Sequence, residues 1–206
     1  MTSAVTGKVD PLVLEPKARE LLFTEARTAN TFTDEPVTSD QLQAVYELTK
    51  WAPTSANTQP LRVLYVSKGQ ARERLLPHMA EGNREKTRSA PVVAVLAADT
   101  EFHEHIPTVF PIAPHFKDMF DADPDGRVAH AKFNATLQAG YFLLGVRAAG
   151  LAAGPMSGFD PAGVDQEFFA DGRWRSILVV NIGYPGDNAW FDRLPRLDYQ
   201  QVTQHL

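Results

Sequence analysis

The sequence predicts an α+β fold in which helices cover a mixed, mostly antiparallel central sheet. Three observations lead there. Helix-like and strand-like patterns intermix without the clean strand–helix–strand repeats of a parallel, doubly wound sheet. Residues 91–98 (PVVAVLAA) form a short continuous apolar run, the mark of a central strand buried on both faces. A long helical pattern, 127–149, is apolar or small nearly all round in its middle, so it needs cover on most sides. The 206 residues suit one domain and are awkward for two. In a chain this short, such a helix points to a second subunit covering one of its faces.

The elements follow in order. Residues 1–14 are expected to be a flexible N-terminus, and 1–10 lack the apolar segment of a signal peptide. Residues 15–26 read as a helix with Leu21 and Leu22 facing inward. Thr38 and Gln41 stand at capping-box spacing before Leu42, Val45, Leu48 and Ala52 at helical period. Pro53 ends that helix. Residues 61–67 (LRVLYVS) are a strand, and 71–80 a helix whose end Pro77 disturbs. Beyond the central strand, 99–126 carries four prolines, three histidines and exposed-looking phenylalanines with no clear period. Such a segment reads as a functional or mobile loop. The helix 127–149, about 34 Å long at 1.5 Å per residue, should stop at Gly150. Asp160 as N-cap and Pro161 at the first helical position open another helix. Residues 176–184 (SILVVNIGY) are a strand, and the tail from 185 to 206 is polar and proline-marked.

Composition removes several classes of function. A net charge of -5 argues against a nucleic-acid footprint, and no apolar run is long enough to cross a bilayer. A cytoplasmic protein is expected. Cysteine is absent, which excludes thiolate nucleophiles, iron–sulfur clusters and cysteine-ligated zinc. Difficult chemistry must then fall to oxygen and nitrogen side chains, a metal they hold, or a bound organic cofactor. No dinucleotide-binding glycine fingerprint or phosphate-binding P-loop is present; Gly140 and Gly145 have the P-loop spacing but continue Val146-Arg147 within a helix. Ser157 lacks the flanking glycines of a nucleophile elbow, those positions being Pro155 and Phe159. His103, His105 and His115 lack zinc-helix spacing and read as solvated residues on a flexible lid. No metal site is expected.

Three segments carry chemistry. The first is Glu25-Ala26-Arg27-Thr28-Ala29-Asn30-Thr31-Phe32. The second, Trp51-Ala52-Pro53-Thr54-Ser55-Ala56-Asn57-Thr58-Gln59-Pro60, packs hydroxyls and two carboxamides between a helix and a strand. Its alternating donors and acceptors suit the edge of a pyrimidine-like ring; a turn that satisfies its own backbone is the other reading. In the third, Gly154-Pro155-Met156-Ser157-Gly158-Phe159, glycines on both sides of the turn allow close approach to a flat ligand; a tight loop between elements is the other reading. Arg27, Arg193 and Arg196 offer planar forks for a phosphate.

Together these segments resemble the nitroreductase family of flavoproteins, with its Arg-Ser-x-Arg-x-Phe, Pro-Ser-x-x-Asn-x-Gln-Pro and Pro-x-x-Gly segments. The stretches 22–30, 50–57, 154–160, 181–184 and 193–197 look most like the malonic semialdehyde reductases of pyrimidine degradation. The likeness runs from about residue 18 to the C-terminus. It implies a single-domain, three-layer α/β/α sandwich that forms a homodimer with FMN at the subunit interface. Arg27, Thr28 and Asn30 would lie near the FMN phosphate and ring, and Thr54, Ser55, Asn57 and Gln59 would reach in from the partner. Asn83 and Lys86 would sit near the pyrimidine end. Pro155, Met156, Ser157 and Gly158 would run along the ring, and Arg193 or Arg196 would meet the phosphate. One departure stands out: Asn30 occupies a position that is usually Arg or Lys, leaving Lys86 as the candidate cation for a reduced flavin.

The activity so implied is ping-pong hydride transfer from NADH or NADPH through FMN to malonic semialdehyde, giving 3-hydroxypropanoate, with no catalytic acid or base in the protein. The alternatives are a broad nitroreductase or quinone reductase and, further off, a flavin-binding protein without turnover. An acceptor carboxylate would want a cation, for which Arg84, Arg88 or a residue of 99–126 are candidates.

Overall fold

The computed structural model describes residues 11–206; the expectations for 1–10 lie outside them. Four strands form one sheet: β1 (Leu61–Ser67), β2 (Val92–Asp99), β3 (Ala152–Met156) and β4 (Trp174–Gly183), in the order β1-β2-β4-β3. Every pairing among the described residues is antiparallel, with Val63 opposite Leu96, Val95 opposite Val179 and Gly154 opposite Asn181. The parallel component of a mixed sheet is not among them. β2 is buried throughout, as its apolar run requires, and its alternation divides the core. Val93, Val95 and Ala97 pack with Leu75, Met79, Val164 and Phe169 on one face. Ala94 and Leu96 pack with Val45, Ala139, Phe142 and Val146 on the other. Helices on both faces give the three-layer sandwich.

One layer is built from α2 (Ser39–Thr49) and α7 (Pro124–Ala148). α2 opens with the expected capping box, Thr38 and Gln41 exchanging bonds of 3.2 and 3.0 Å. α7 starts three residues earlier than expected because Asp123 caps it and Pro124 fits its first position. It stops at Gly150, whose φ of +76° suits only glycine readily. α7 is not enclosed within the protomer: Phe133, Leu137 and Tyr141, on one stripe, are 65%, 44% and 44% exposed.

The other layer holds α3 (Gln70–Leu75), α4 (Glu81–Ser89) and α8 (Pro161–Phe168). α3 passes into a 3-10 turn at Leu76–His78, as Pro77 dictates. Asp160 caps α8 by accepting from Ala162 N–H. Arg72 of α3 is fully buried, its guanidinium donating to the carbonyls of Thr87, Ala90 and Val66 at 2.6, 2.8 and 2.7 Å. That contact ties the end of α4 to β1; burial pushes the Arg72 pKa down to about 10. At the N-terminus, α1 (Pro16–Arg19) runs into a π-helical turn, Glu20–Thr24. Leu21 is 48% exposed rather than inward-facing, because the wider π turn rotates it off the helical stripe. α9 (Tyr199–Val202) lies in the tail.

The segment 99–126 is not a solvated lid. It forms a 3-10 turn at Phe102–His105, then α5 (Ile106–Val109) and α6 (Phe116–Ala122). Phe102 and Ile106 are wholly buried against Ala98, Ala131 and Ala135, with Phe110, Phe116 and Phe120 packed around them. His103 is buried as well, its Nε2 2.8 Å from Asp121 and 3.2 Å from Arg127. Helices this short complete fewer than two turns, so no period was there to read.

Candidate functional site: an arginine-lined cleft beside the edge strand

The first segment leaves the π turn and lies along edge strand β3. Ala29 N–H donates to Ala153 carbonyl at 3.2 Å and Asn30 N–H to Ala189 carbonyl at 3.0 Å. This docking requires glycine at 154: a Cβ there would stand 2.7 Å from the Ala29 carbonyl oxygen. Past β3, the Gly158 carbonyl accepts from Asn83 Nδ2 at 2.8 Å and from Ala80 N–H at 3.0 Å. Asn83 therefore braces the third segment from α4, with Lys86 one turn further along.

Two adjoining cavities result. Arg27, Thr28, Asn30, Arg193 and Arg196 line one of about 300 Å³. Asn30 and Lys86 line the other, of about 560 Å³, with Phe32 and Ser89. Asn30 and Phe191 border both. Arg27, Thr28, Asn30, Lys86, Arg193 and Arg196 thus border adjoining cavities, whereas Asn83 and Pro155 to Gly158 line neither. The Met156 side chain is buried in the core, where its sulfur lies 3.8 Å from Thr87 Oγ1 and Asn181 Nδ2; only its main chain can serve a ligand. Ser157 is exposed and Pro155 half-buried.

The second segment sits apart within a protomer. Ser55 N–H donates to Asn134 Oδ1 at 2.8 Å, and Thr58 Oγ1 is 3.1 Å from His130 Nε2. Asn57 Nδ2 donates to the Val109 carbonyl at 2.7 Å, and Gln59 Nε2 to Asn57 Oδ1 at 3.0 Å. From Asn134 to Arg147, beside the arginine cavity, is 13 residues (147 − 134) along α7, about 20 Å of helix. The turn satisfies much of its own polarity, yet Ala56, Asn57 and Gln59 hold φ of +51°, +50° and +45°. Three non-glycine residues in the left-handed region within four positions is stored strain of the kind found at binding loops.

The cleft gathers arginines without ion pairs, with Asp192 on the same wall. Arg62, Arg74, Arg88, Arg127, Arg173 and Arg175 each pair with a carboxylate. Arg27, Arg193 and Arg196 make no ion pair among the described residues. They donate to main-chain carbonyls: Arg27 to Phe191, Arg193 to Thr24 at 2.6 Å, and Arg196 to Leu194 at 2.9 Å. A fourth arginine, Arg147, lines the same cavity. Sequence reasoning missed it, although no acid stands three or four positions away on its helix, which was a usable signal. Unpaired guanidinium forks around one concavity fit a phosphate monoester, which needs bidentate donors and compensating charge. The residues present therefore fit the phosphate end of FMN.

Of the proposed acceptor cations, Arg88 pairs with Glu73 at 3.0 Å, whereas Arg84 makes no ion pair among the described residues and donates through Nε to the Met79 carbonyl at 3.0 Å. Among the described residues no cluster of His, Asp and Glu could hold a metal. A cavity of about 650 Å³ between α2 and β1 is larger than either cavity of the cleft taken singly, but its wall is mostly apolar and contains none of the three segments.

Two solved structures share the architecture and define the class of fold. A Staphylococcus epidermidis protein provisionally named NAD(P)H:FMN oxidoreductase has a TM-score of 0.79 over 96% of this chain and 99% of its own, at 18% identity. A provisionally named nitroreductase from Exiguobacterium sibiricum, solved in complex with FMN, has a TM-score of 0.80 over 91% and 96%, at 16% identity. The sequence goes further. The Nitroreductase family model matches residues 24–184. A Streptomyces coelicolor protein provisionally named NADH dehydrogenase/NAD(P)H nitroreductase is 60% identical over 97% of this chain and 98% of its own length. The chain belongs to the Nitroreductase family.

Proposed function

We propose that this protein is an FMN-dependent NAD(P)H oxidoreductase, working in the cytoplasm as a homodimer. The observation that carries the reading is the group of arginines without acidic partners, bordering the same cleft as Lys86 and Asn30. Relatives named NAD(P)H nitroreductase support it. Among the described residues no helix is long and apolar enough to cross a membrane.

Bound FMN supplies the hydride chemistry, with the nicotinamide leaving before the acceptor enters. The chain's own residues bind and orient. Arg27, Arg193 and Arg196 hold the phosphate, and Thr28 and Asn30 border the same cavity. β3 and Gly158 offer main chain to one ring face, with Asn83 keeping Gly158 in place. Lys86 is the cation available to a ring that gains negative charge. Thr54, Ser55, Asn57 and Gln59 serve the partner's site. Two features support that arrangement: the helix length that separates this segment from its own arginines, and the exposed stripe on α7 that a second copy would bury.

For the acceptor, the subfamily motifs favour malonic semialdehyde, reduced to 3-hydroxypropanoate. A broad nitroreductase or quinone reductase is favoured instead by the pairing of Arg88 with Glu73, which leaves Arg84 as the only one of the two without an acidic partner among the described residues. Steady-state kcat/KM with malonic semialdehyde, a nitrofuran and a quinone separates the two. A preference of at least tenfold for the aldehyde acid supports the narrow activity; parity or the reverse assigns the broad one. Flavin bound without turnover of any acceptor would overturn both.

A further inference from the structure

We propose that Arg147, in the last turn of α7, is a phosphate-binding residue of the flavin site. The inference rests on the FMN reading above and adds a residue from a different part of the fold. Arg147 borders the same 300 Å³ cavity as Arg27, Arg193 and Arg196. Those three stand on segments outside regular secondary structure; Arg147 alone projects from the long helix packed on the sheet. It makes no ion pair among the described residues, although Glu20 and Glu25 border a neighbouring cavity that it also lines.

Its hydrogen bonding is unfinished. Nη1 donates to the Leu22 carbonyl at 3.1 Å, which uses one of the five N–H groups of a guanidinium. Nε is buried and has no partner. A buried donor without an acceptor is costly, and burial pushes the Arg147 pKa down, so the charge is held at a cost. The α7 C-terminus favours a cation there but supplies no acceptor to Nε. An anion would supply one, and it would offset the excess charge of four arginines that share the concavity with a single acid, Asp192. The ligand chemistry is that of a phosphate monoester dianion.

The alternative is a strut that only fastens Leu22. Dissociation constants of FMN and of riboflavin distinguish the two, measured by fluorescence quenching on apoprotein. Arg147→Met should weaken FMN by roughly 10- to 100-fold, the worth of one or two charge-assisted hydrogen bonds. Riboflavin, which lacks the phosphate, should change by less than about twofold. Arg147→Lys, which keeps the charge but loses the fork, should fall between. Equal losses for both ligands would mean a strut and overturn the proposal. So would unchanged FMN affinity, and a changed KM for NADPH but not NADH beside it would assign the residue to the nicotinamide nucleotide. A wild-type protein that binds neither flavin would overturn the FMN reading itself.

Discussion

Gly154→Ala tests how the first segment is docked. The added methyl would stand 2.7 Å from the Ala29 carbonyl oxygen, 3.4 Å from Asn181 Cβ and 3.5 Å from Phe32 Cζ. Only the first is a clash, and it is against main chain, so no side-chain rotation relieves it. Reaching an ordinary carbon–oxygen contact needs a shift of roughly 0.6 Å, which strains the Ala29-to-Ala153 hydrogen bond of 3.2 Å. Overpacking of this kind costs about 1–3 kcal/mol, and at 2–4 °C per kcal/mol for a chain of this size the melting temperature falls by roughly 2–12 °C. Arg27, Thr28 and Asn30 move with Ala29, so FMN affinity should fall as well. Differential scanning calorimetry and a flavin titration read both effects. If Gly154→Ala melts like the wild type and binds FMN equally well, the account of the docking is wrong.

Three further outcomes are expected. Arg72→Met strands the carbonyls of Val66, Thr87 and Ala90 and should destabilise by about 3–5 kcal/mol; denaturant midpoints check this, and a loss below 1 kcal/mol would contradict it. Burial holds the His130 pKa below its ordinary value of 6.5. The unfolded chain therefore takes up the proton first, and stability present above pH 6.5 is lost as pH falls. Melting scans from pH 8 to 5 should show that loss reduced in His130→Gln; identical slopes would count against it. Leu137→Glu places a charge on the exposed stripe of α7 and should give a monomer that retains little FMN, by sedimentation and absorbance. A flavin-replete dimer would show that the stripe is not the interface.

How much was legible follows from how much each element depends on local chemistry. β2 announced itself because a strand buried on both faces must be apolar throughout, and the Thr38–Gln41 and Asp160–Pro161 signals lie within one helical turn. α4 did not, because it is charged along its length and buries only Thr87. Arg72 was unreadable for the opposite reason: its burial depends on carbonyls 6 to 18 positions away in the chain. Among site residues, Arg27, Asn30, Lys86 and the two tail arginines were named from motifs, and the fold brings them to adjoining cavities. The positive φ at Ala56, Asn57 and Gln59 left no trace, since none is glycine and the turn is imposed by Asn134, His130 and Val109.

The central claim is that the arginine cleft holds a redox-active flavin. The direct measurement is the visible spectrum of the purified protein, supplied with FMN, before and after one equivalent of NADH or NADPH without oxygen. The account predicts a visible flavin band that bleaches on adding the nicotinamide and returns when an acceptor is supplied. A protein that stays colourless with FMN, or a yellow one whose band survives both nicotinamides, contradicts it.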